Sequence, residues 1–182
     1  MSNISDELVS RAAQGDMAAF EDIYNATSGF VYNVALRVTN NHSDADEVTQ
    51  DVFVKVYKNL GNFGFRSSFK TWVYRITANT AINYCKKAAR QDKRKVEYDP
   101  AVHDIEAPCG AGALPDNADQ AARKITSLLS ILDPDQRACI VLREIEELDY
   151  KAIADTLHIN LNTVRSRLRR AREKLIAEGL KE

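Results

Sequence analysis

The stretch Tyr150-Lys-Ala-Ile-Ala-Asp-Thr-Leu-His-Ile-Asn-Leu-Asn-Thr-Val-Arg-Ser-Arg-Leu-Arg169 decides the fold. Ile153, Ala154 and Leu157 fall on one face of a short helix. Ala154 is small enough for a second helix to cross closely there. Ile159 fills the turn, and Val164 and Leu168 anchor a second helix from Leu161. The spacing predicts a helix-turn-helix. His158 takes the turn position that favours φ > 0, a region that His tolerates better than most residues. The second helix presents Asn162, Arg165, Ser166, Arg167, Arg169, Arg170 and Arg172. Guanidinium groups bridge phosphates or grip guanine edges with two donors, which a helix lying in a major groove requires.

Upstream, Asp133-Pro134-Asp135-Gln136 offers an N-cap, a proline at the first helical position and a glutamine at N3. That predicts a helix carrying Ile140, Val141 and Glu144 and ending near Glu147. Residues 96–119 hold Pro100, Pro108 and Pro115 with Gly110 and Gly112 and show no helical period, so they read as a flexible linker. The expectation is an all-α chain of two small helical domains, 1–95 and 120–182, joined by the linker 96–119.

The charge follows these boundaries. The whole chain has 25 basic and 26 acidic residues, net −1. Residues 1–60 carry 4 basic and 9 acidic groups, net −5; residues 61–95 carry 9 and 1, net +8. Residues 96–122 hold 6 acids and no Lys or Arg; residues 161–182 carry 7 basic and 3 acidic groups, net +4. Two basic blocks separated by an acidic one suit two anionic contacts, or one anion held twice. The acidic linker is expected to shield the basic faces.

In the first lobe Asp16 caps a helix with Phe20, Ile23, Tyr24, Phe30, Val31 and Val34 at helical intervals. Ser43 followed by Asp46 resembles a capping box for a helix with Val48, Val52, Val56 and Leu60 in one stripe. Asp44, Glu47 and Asp51, beside Gln50, share the other side. From local chemistry that is either a solvated face or a docking surface for a basic partner. After a break at Gly61 and Gly64, Ser67 or Ser68 starts a helix through about Lys95. Phe69, Val73, Ile76 and Thr80 form its buried stripe. Trp72, Arg75, Asn79, Asn83 and Lys86 lie about a quarter turn away and face something other than the core. From Phe63 to Arg94, rings (Phe63, Phe65, Phe69, Trp72, Tyr74, Tyr84) interleave with cations such as Arg66 and Lys70. This mixture suits single-stranded DNA, with cations for phosphate and rings for unstacked bases. Phe69 and Tyr84 are the rings assigned to the core.

Several classes are excluded. No apolar run approaches a membrane span, and the N-terminus lacks the pattern of a signal peptide, so the expected compartment is the cytoplasm. Cys85, Cys109 and Cys139 are far apart and contain no Cys-x-x-Cys; they read as ordinary thiols, and His103 with Cys109 lacks further ligands. No nucleophile or phosphate loop accompanies the carboxylates, so no catalytic residue, cofactor or metal is expected.

With these motifs in order, the chain resembles a sigma factor of the sigma-70 superfamily, in the extracytoplasmic-function group. Asp44-Ala-Asp-Glu-Val-Thr-Gln-Asp-Val-Phe53 is similar to its core-binding segment. Arg66-Ser-Ser-Phe-Lys-Thr-Trp-Val-Tyr-Arg-Ile-Thr-Ala-Asn79 is similar to its −10 segment. Asp133-Pro-Asp-Gln-Arg137, Leu142-Arg-Glu144 and Thr163-Val-Arg-Ser-Arg-Leu-Arg-Arg-Ala-Arg172 are similar to its fourth region. The resemblance implies that Asp46, Glu47, Gln50 and Asp51 dock on core RNA polymerase at the β′ clamp helices, with further contact to the β subunit. It implies that Phe63, Arg66, Trp72, Arg75, Asn79, Asn83 and Lys86 hold the −10 strand, Phe63 receiving a flipped base. It assigns Arg143, Asn162, Thr163, Arg165, Ser166, Arg167, Arg169 and Arg170 to the −35 element. It also implies an anti-sigma factor, able to hold the chain at the membrane without any insertion of the chain itself. Beside it stands a reading from the residues alone, a duplex-DNA regulator acting through residues 133–174.

Overall fold

The structure, a computed structural model, describes residues 4–98 and 120–179. The described residues form helices joined by short turns and loops, without strands. Local caps punctuate the chain. The Ser5 side chain accepts the Leu8 N–H to open α1 (Asp6–Ala13), which the sequence reading does not single out. Asp16 accepts the Ala19 N–H at 3.0 Å and opens α2 (Met17–Thr39), as expected. Asn40, at φ 58°, closes α2 in the left-handed region that Asn tolerates. α3 (His42–Asn59) starts one residue before Ser43: Asn41 is its cap, accepting the Asp44 N–H at 3.1 Å, and no Ser43 box forms. A 3-10 turn (Leu60–Asn62) follows. Ser68 accepts the Thr71 N–H at the start of α4 (Phe69–Tyr98), which runs beyond Lys95. The remainder of the expected linker, with the acids assigned a shielding role and His103 and Cys109, lies outside the described residues.

In the second lobe α5 (Gln120–Ser130) precedes α6 (Pro134–Ile140), where Asp133 accepts the Gln136 N–H at 2.9 Å behind Pro134. α6 does not continue smoothly to Glu147: a π turn (Val141–Ile145) intervenes. α7 (Tyr150–Leu157) and α8 (Leu161–Gly179) form the helix-turn-helix, with His158 at φ 52° between them. Ile153, Val164 and Leu168 are buried as expected, and Ala154 is 8% exposed at the crossing.

α2, α3 and α4 pack on one another through Ile23, Val31, Val34, Val48, Val52, Val56 and Val73. The α4 stripe is broader than the sequence suggests. Phe69, Val73 and Thr80 are buried and Ile76 is half-buried, but Tyr74, Ala78, Ala81, Ile82 and Cys85 are buried too. The reason is that α4 is covered twice, by α2 and α3 and again by α6 and α7 of the second lobe. Buried apolar residues of both lobes belong to one cluster.

Arg137 joins the lobes. Its side chain, 2% exposed, donates from Nη1 to the Val38 and Thr39 carbonyls (3.0 and 3.2 Å) and from Nη2 to the Leu132 carbonyl (3.0 Å). Asn40 Nδ2 adds a bond to the Thr126 carbonyl at 3.0 Å.

Arg137→Met keeps much of the apolar stem and removes the donors to three buried carbonyls. It is expected to lower unfolding free energy by about 3 kcal/mol in urea titration. A loss below about 1 kcal/mol would show that these bonds carry little of the fold.

Candidate nucleic-acid interface

The acidic face of α3 is open. Asp46, Glu47, Gln50 and Asp51 are all exposed. Tyr84, expected in the core, is half-buried with its hydroxyl facing this row at 2.9 Å from Glu47 Oε2 and 3.1 Å from Asp44 Oδ1. Burial and then the Glu47 and Asp44 carboxylates hold its phenol above the usual range, so it remains a donor that braces the acids.

Farther along the same seam, a cleft of about 400 Å³ runs between α3 and α4. Lys55, Trp72, Arg75, Asn79, Thr80 and Asn83 line it. The structure thus brings together four of the −10 candidates and adds Lys55, whose Nζ donates to Thr80 Oγ1 at 2.9 Å. Asn59 and Asn62 also line the cleft. The sequence reading does not single these three out; a polar pair one turn apart, Lys55 and Asn59, just before Gly61 was the available signal. Arg75 Nε is buried without a hydrogen-bond partner among the described residues.

The rings sort differently from the expectation. Phe63, expected to receive a base, is 8% exposed and packs on Phe65, Phe69 and Trp72 at centroid distances of 4.8, 5.7 and 5.1 Å. Phe65 is the exposed member. Arg66 is exposed in the same loop.

Two of the basic candidates share one carboxylate, Lys86 from across the lobes and Arg167 from within the second lobe. Asp135 on α6 pairs with Lys86 of α4 (2.7 Å) and with Arg167 of α8 (3.0 Å). Asn79 Nδ2 donates to the Thr156 carbonyl of α7 at 3.0 Å, and to the Arg75 carbonyl at 2.8 Å. The expected outward stripe on α4 is therefore partly covered. Glu146, after the π turn, accepts the Tyr74 hydroxyl and lies 3.6 Å from Arg37 of α2. Burial, then Glu146, pushes the Tyr74 phenol upward.

On α8, Asn162, Arg165, Arg169 and Arg170 are exposed, while Thr163, Ser166 and Arg167 are half-buried. Thr163 N–H and Oγ1 both donate to the Asn160 cap (2.7 and 2.9 Å), and Ser166 Oγ donates to the Thr163 carbonyl. Arg169 pairs with Glu173 at 3.0 Å. Arg143 braces the turn: Nη1 donates to the Leu148 carbonyl at 2.9 Å and its guanidinium lies 5.3 Å from the Tyr150 ring. Among the described residues no cluster of three metal-ligating side chains occurs, and no helix is long and apolar enough to cross a membrane.

Comparison with known proteins covers nearly the whole chain. The family described as Sigma-70 region 2 matches residues 23–91, and Sigma-70, region 4 matches residues 122–175. The RNA polymerase sigma-H factor of Pseudomonas aeruginosa is 34% identical over 178 residues, spanning 93% of this chain and 90% of its own. The ECF RNA polymerase sigma-E factor of Haemophilus influenzae is 32% identical over 173 residues, spanning 92% and 91%. The fold is shared with the sigma factor RpoE of Bartonella quintana, solved with the anti-sigma factor NepR: TM-score 0.65, 22% identity, 86% of this chain and 93% of that one.

Cys139 reports on the packing of α6 against α8. Burial pushes its thiol up to about 11, against a weaker opposing pull from Arg167. At pH 8 iodoacetamide is therefore expected to label Cys139 only as the protein unfolds in urea, read by mass spectrometry. Labelling of the native protein at the rate of a free thiol would mean that α6 and α8 do not enclose it.

Proposed function

The chain belongs to the sigma-70 family, in its extracytoplasmic-function group of transcription initiation factors, and from that premise we propose how its surfaces divide the work. Residues 1–95 bind core RNA polymerase and the −10 element. Residues 120–182 bind the −35 element, and 96–119 connect the two. Asp46, Glu47, Gln50 and Asp51 dock on basic residues of the β′ clamp helices, with a second contact on the β subunit. Lys55, Arg66, Trp72, Arg75, Asn79, Asn83 and Lys86 hold the non-template −10 strand. Asn162, Thr163, Arg165, Ser166, Arg167, Arg169 and Arg170 meet the −35 duplex, and Arg143 supports them by fixing the turn. The chain supplies binding energy for strand opening and no chemistry of its own; polymerase makes the phosphodiester bonds.

The observation that carries this reading is the asymmetry of exposure. The acidic α3 face is open, while Lys86 and Arg167 share Asp135 and Asn79 is held by Thr156. Asp135 occupies two cations assigned to DNA, Lys86 across the lobes and Arg167 within the second lobe. This supports an order of events in which polymerase is engaged first and DNA second, after the lobes part. Exposed ion pairs contribute only about 0–1 kcal/mol each, so they mask the cations without locking the lobes. An anti-sigma factor, as solved with the Bartonella relative, would act by keeping the lobes from parting. The place of action is that of the polymerase, the cytoplasm, with an anti-sigma factor able to tether the chain at the membrane.

The purified chain is expected to form a stable complex with core polymerase and to direct run-off transcription from discrete starts. Asp51→Ala should weaken that complex about tenfold, equivalent to about 1.4 kcal/mol; an unchanged affinity removes Asp51 from the docking face. Duplex binding without any polymerase complex would instead support the regulator acting through residues 133–174. For the free chain, Asp135→Asn releases two cations. The slope of log affinity against log salt for a non-specific duplex, read by fluorescence anisotropy, should steepen by up to about 2.

A further inference from the structure

Several acids on the helix surfaces are paired with cations of the same chain. Asp16 meets Arg11 at 2.6 Å, Glu144 meets Arg172 at 2.7 Å and Glu173 meets Arg169 at 3.0 Å. The first acids of α3 are treated otherwise. Asp44, half-buried, and Glu47, exposed, form no ion pair among the described residues. Their partner is the Tyr84 hydroxyl of α4, 3.1 Å from Asp44 Oδ1 and 2.9 Å from Glu47 Oε2.

The choice of partner matters physically. A cation would order the side chains and cancel their charge at the same time. A phenol orders them and leaves the charge in place. This phenol stays neutral because burial, then Glu47 and Asp44, hold it above its ordinary range. Gathering carboxylates one turn apart on one hydroxyl has a cost, since like charges at that spacing repel. One phenol proton does not fully satisfy both. The α3 dipole favours Asp44 in the first turn, but Glu47 stands a turn further on, beyond its reach. The cost is recovered when a cation from outside the chain arrives. Tyr84 is itself well anchored: its ring packs against the core, and the next residue, Cys85, is fully buried. α4 therefore presents the hydroxyl to α3 from a fixed position.

We propose that Tyr84 is a positioning residue for polymerase docking: by holding Asp44 and Glu47 together it presents them as a preordered, still charged pair to a basic side chain of core polymerase. The inference rests on the reading of the α3 face as the docking surface, and it extends that surface to Asp44. Ordering a long side chain before association reduces the conformational entropy lost on docking.

The test titrates core polymerase into the fluorescently labelled full chain and reads anisotropy. Tyr84→Phe keeps the ring and removes the hydroxyl. Its Kd for core should rise about fivefold, the scale of one side chain ordered on binding. Its melting temperature should stay close to wild type. At saturating core its run-off transcription should equal that of wild type, since the other residues of α4 are undisturbed. The deciding comparison is a cycle with the double variant Asp44→Ala, Glu47→Ala. That variant should itself bind core more weakly, and adding Tyr84→Phe to it should weaken binding by less than about a further twofold. A loss that persists undiminished without the carboxylates overturns the proposal, because the hydroxyl or the packing of the ring then acts elsewhere. Wild-type affinity in Tyr84→Phe, with the carboxylate variant weakened, overturns the positioning role and leaves the docking face standing. If neither the carboxylate variant nor Asp51→Ala weakens binding, the docking reading fails and the positioning role with it.

Discussion

A guanidinium buried between two helical lobes is the constraint on which the arrangement of this chain depends. Arg137 carries a charge that would be costly to bury alone, and it is accommodated because it meets helix-end carbonyls. The last turn of α2 leaves carbonyls without intrahelical partners and carries the negative end of the helix dipole. Arg137 reaches them from α6, and also binds the Leu132 carbonyl of its own lobe. Its position therefore fixes α6 against the end of α2. Once α6 is fixed, α7 lies on α4, and Asp135 lies between Lys86 and Arg167. Removing any one of those surface ion pairs would leave the geometry standing, because each contributes little in water. The buried bonds cannot be removed so cheaply.

The near-neutral total charge has a structural meaning in this light. The acids divide into two populations with different work. Those on α3 face solvent and are braced by Tyr84, ready for a basic partner. Asp135 and Glu146 are spent inside the molecule as counter-ions to groups of the other surfaces. On the proposed parting of the lobes, Lys86 would leave Asp135 and Arg37 would leave Glu146, while Arg167 would keep its partner within the second lobe. The free energy for that change has to come from a partner that prefers the parted lobes.

Helix ends were legible because they are local. Asp16, Asp133-Pro134 and His158 act within four residues of themselves, and each behaves as its type predicts. Where two cap candidates are adjacent, as at Asn41 and Ser43, spacing alone misplaces the start. The helix-turn-helix was legible because its apolar spacing is strict. Arg137 was not: it reads as one more cation in a motif, and its partners Val38 and Thr39 are 98–99 residues away. Nothing in a period of 3.6 announces a contact of that range. The ring loop failed for another reason. Phe63 and Phe65 both sit in an irregular segment, and without a period the inner and outer rings cannot be told apart.

The π turn shows how a local irregularity decides a distant contact. The Glu146 N–H bonds to the Val141 carbonyl, five residues back, and Leu148 reaches the Leu142 carbonyl. A turn widened by one residue shifts the phase of every side chain that follows it. Glu144, inside the turn, pairs outward with Arg172 of α8 at 2.7 Å. Glu146, two residues later, points the other way and takes Tyr74 and Arg37 of the first lobe. Glu147 then enters the left-handed region at φ 57°, and the chain turns to meet the Asp149 cap of α7. A regular helix through Glu147 would place 144 and 146 at other angles and separate these two contacts from their partners. The single extra residue in the turn thus aims one carboxylate at α8 and one at the first lobe, coupling the packing of the helix-turn-helix to the contact between the lobes.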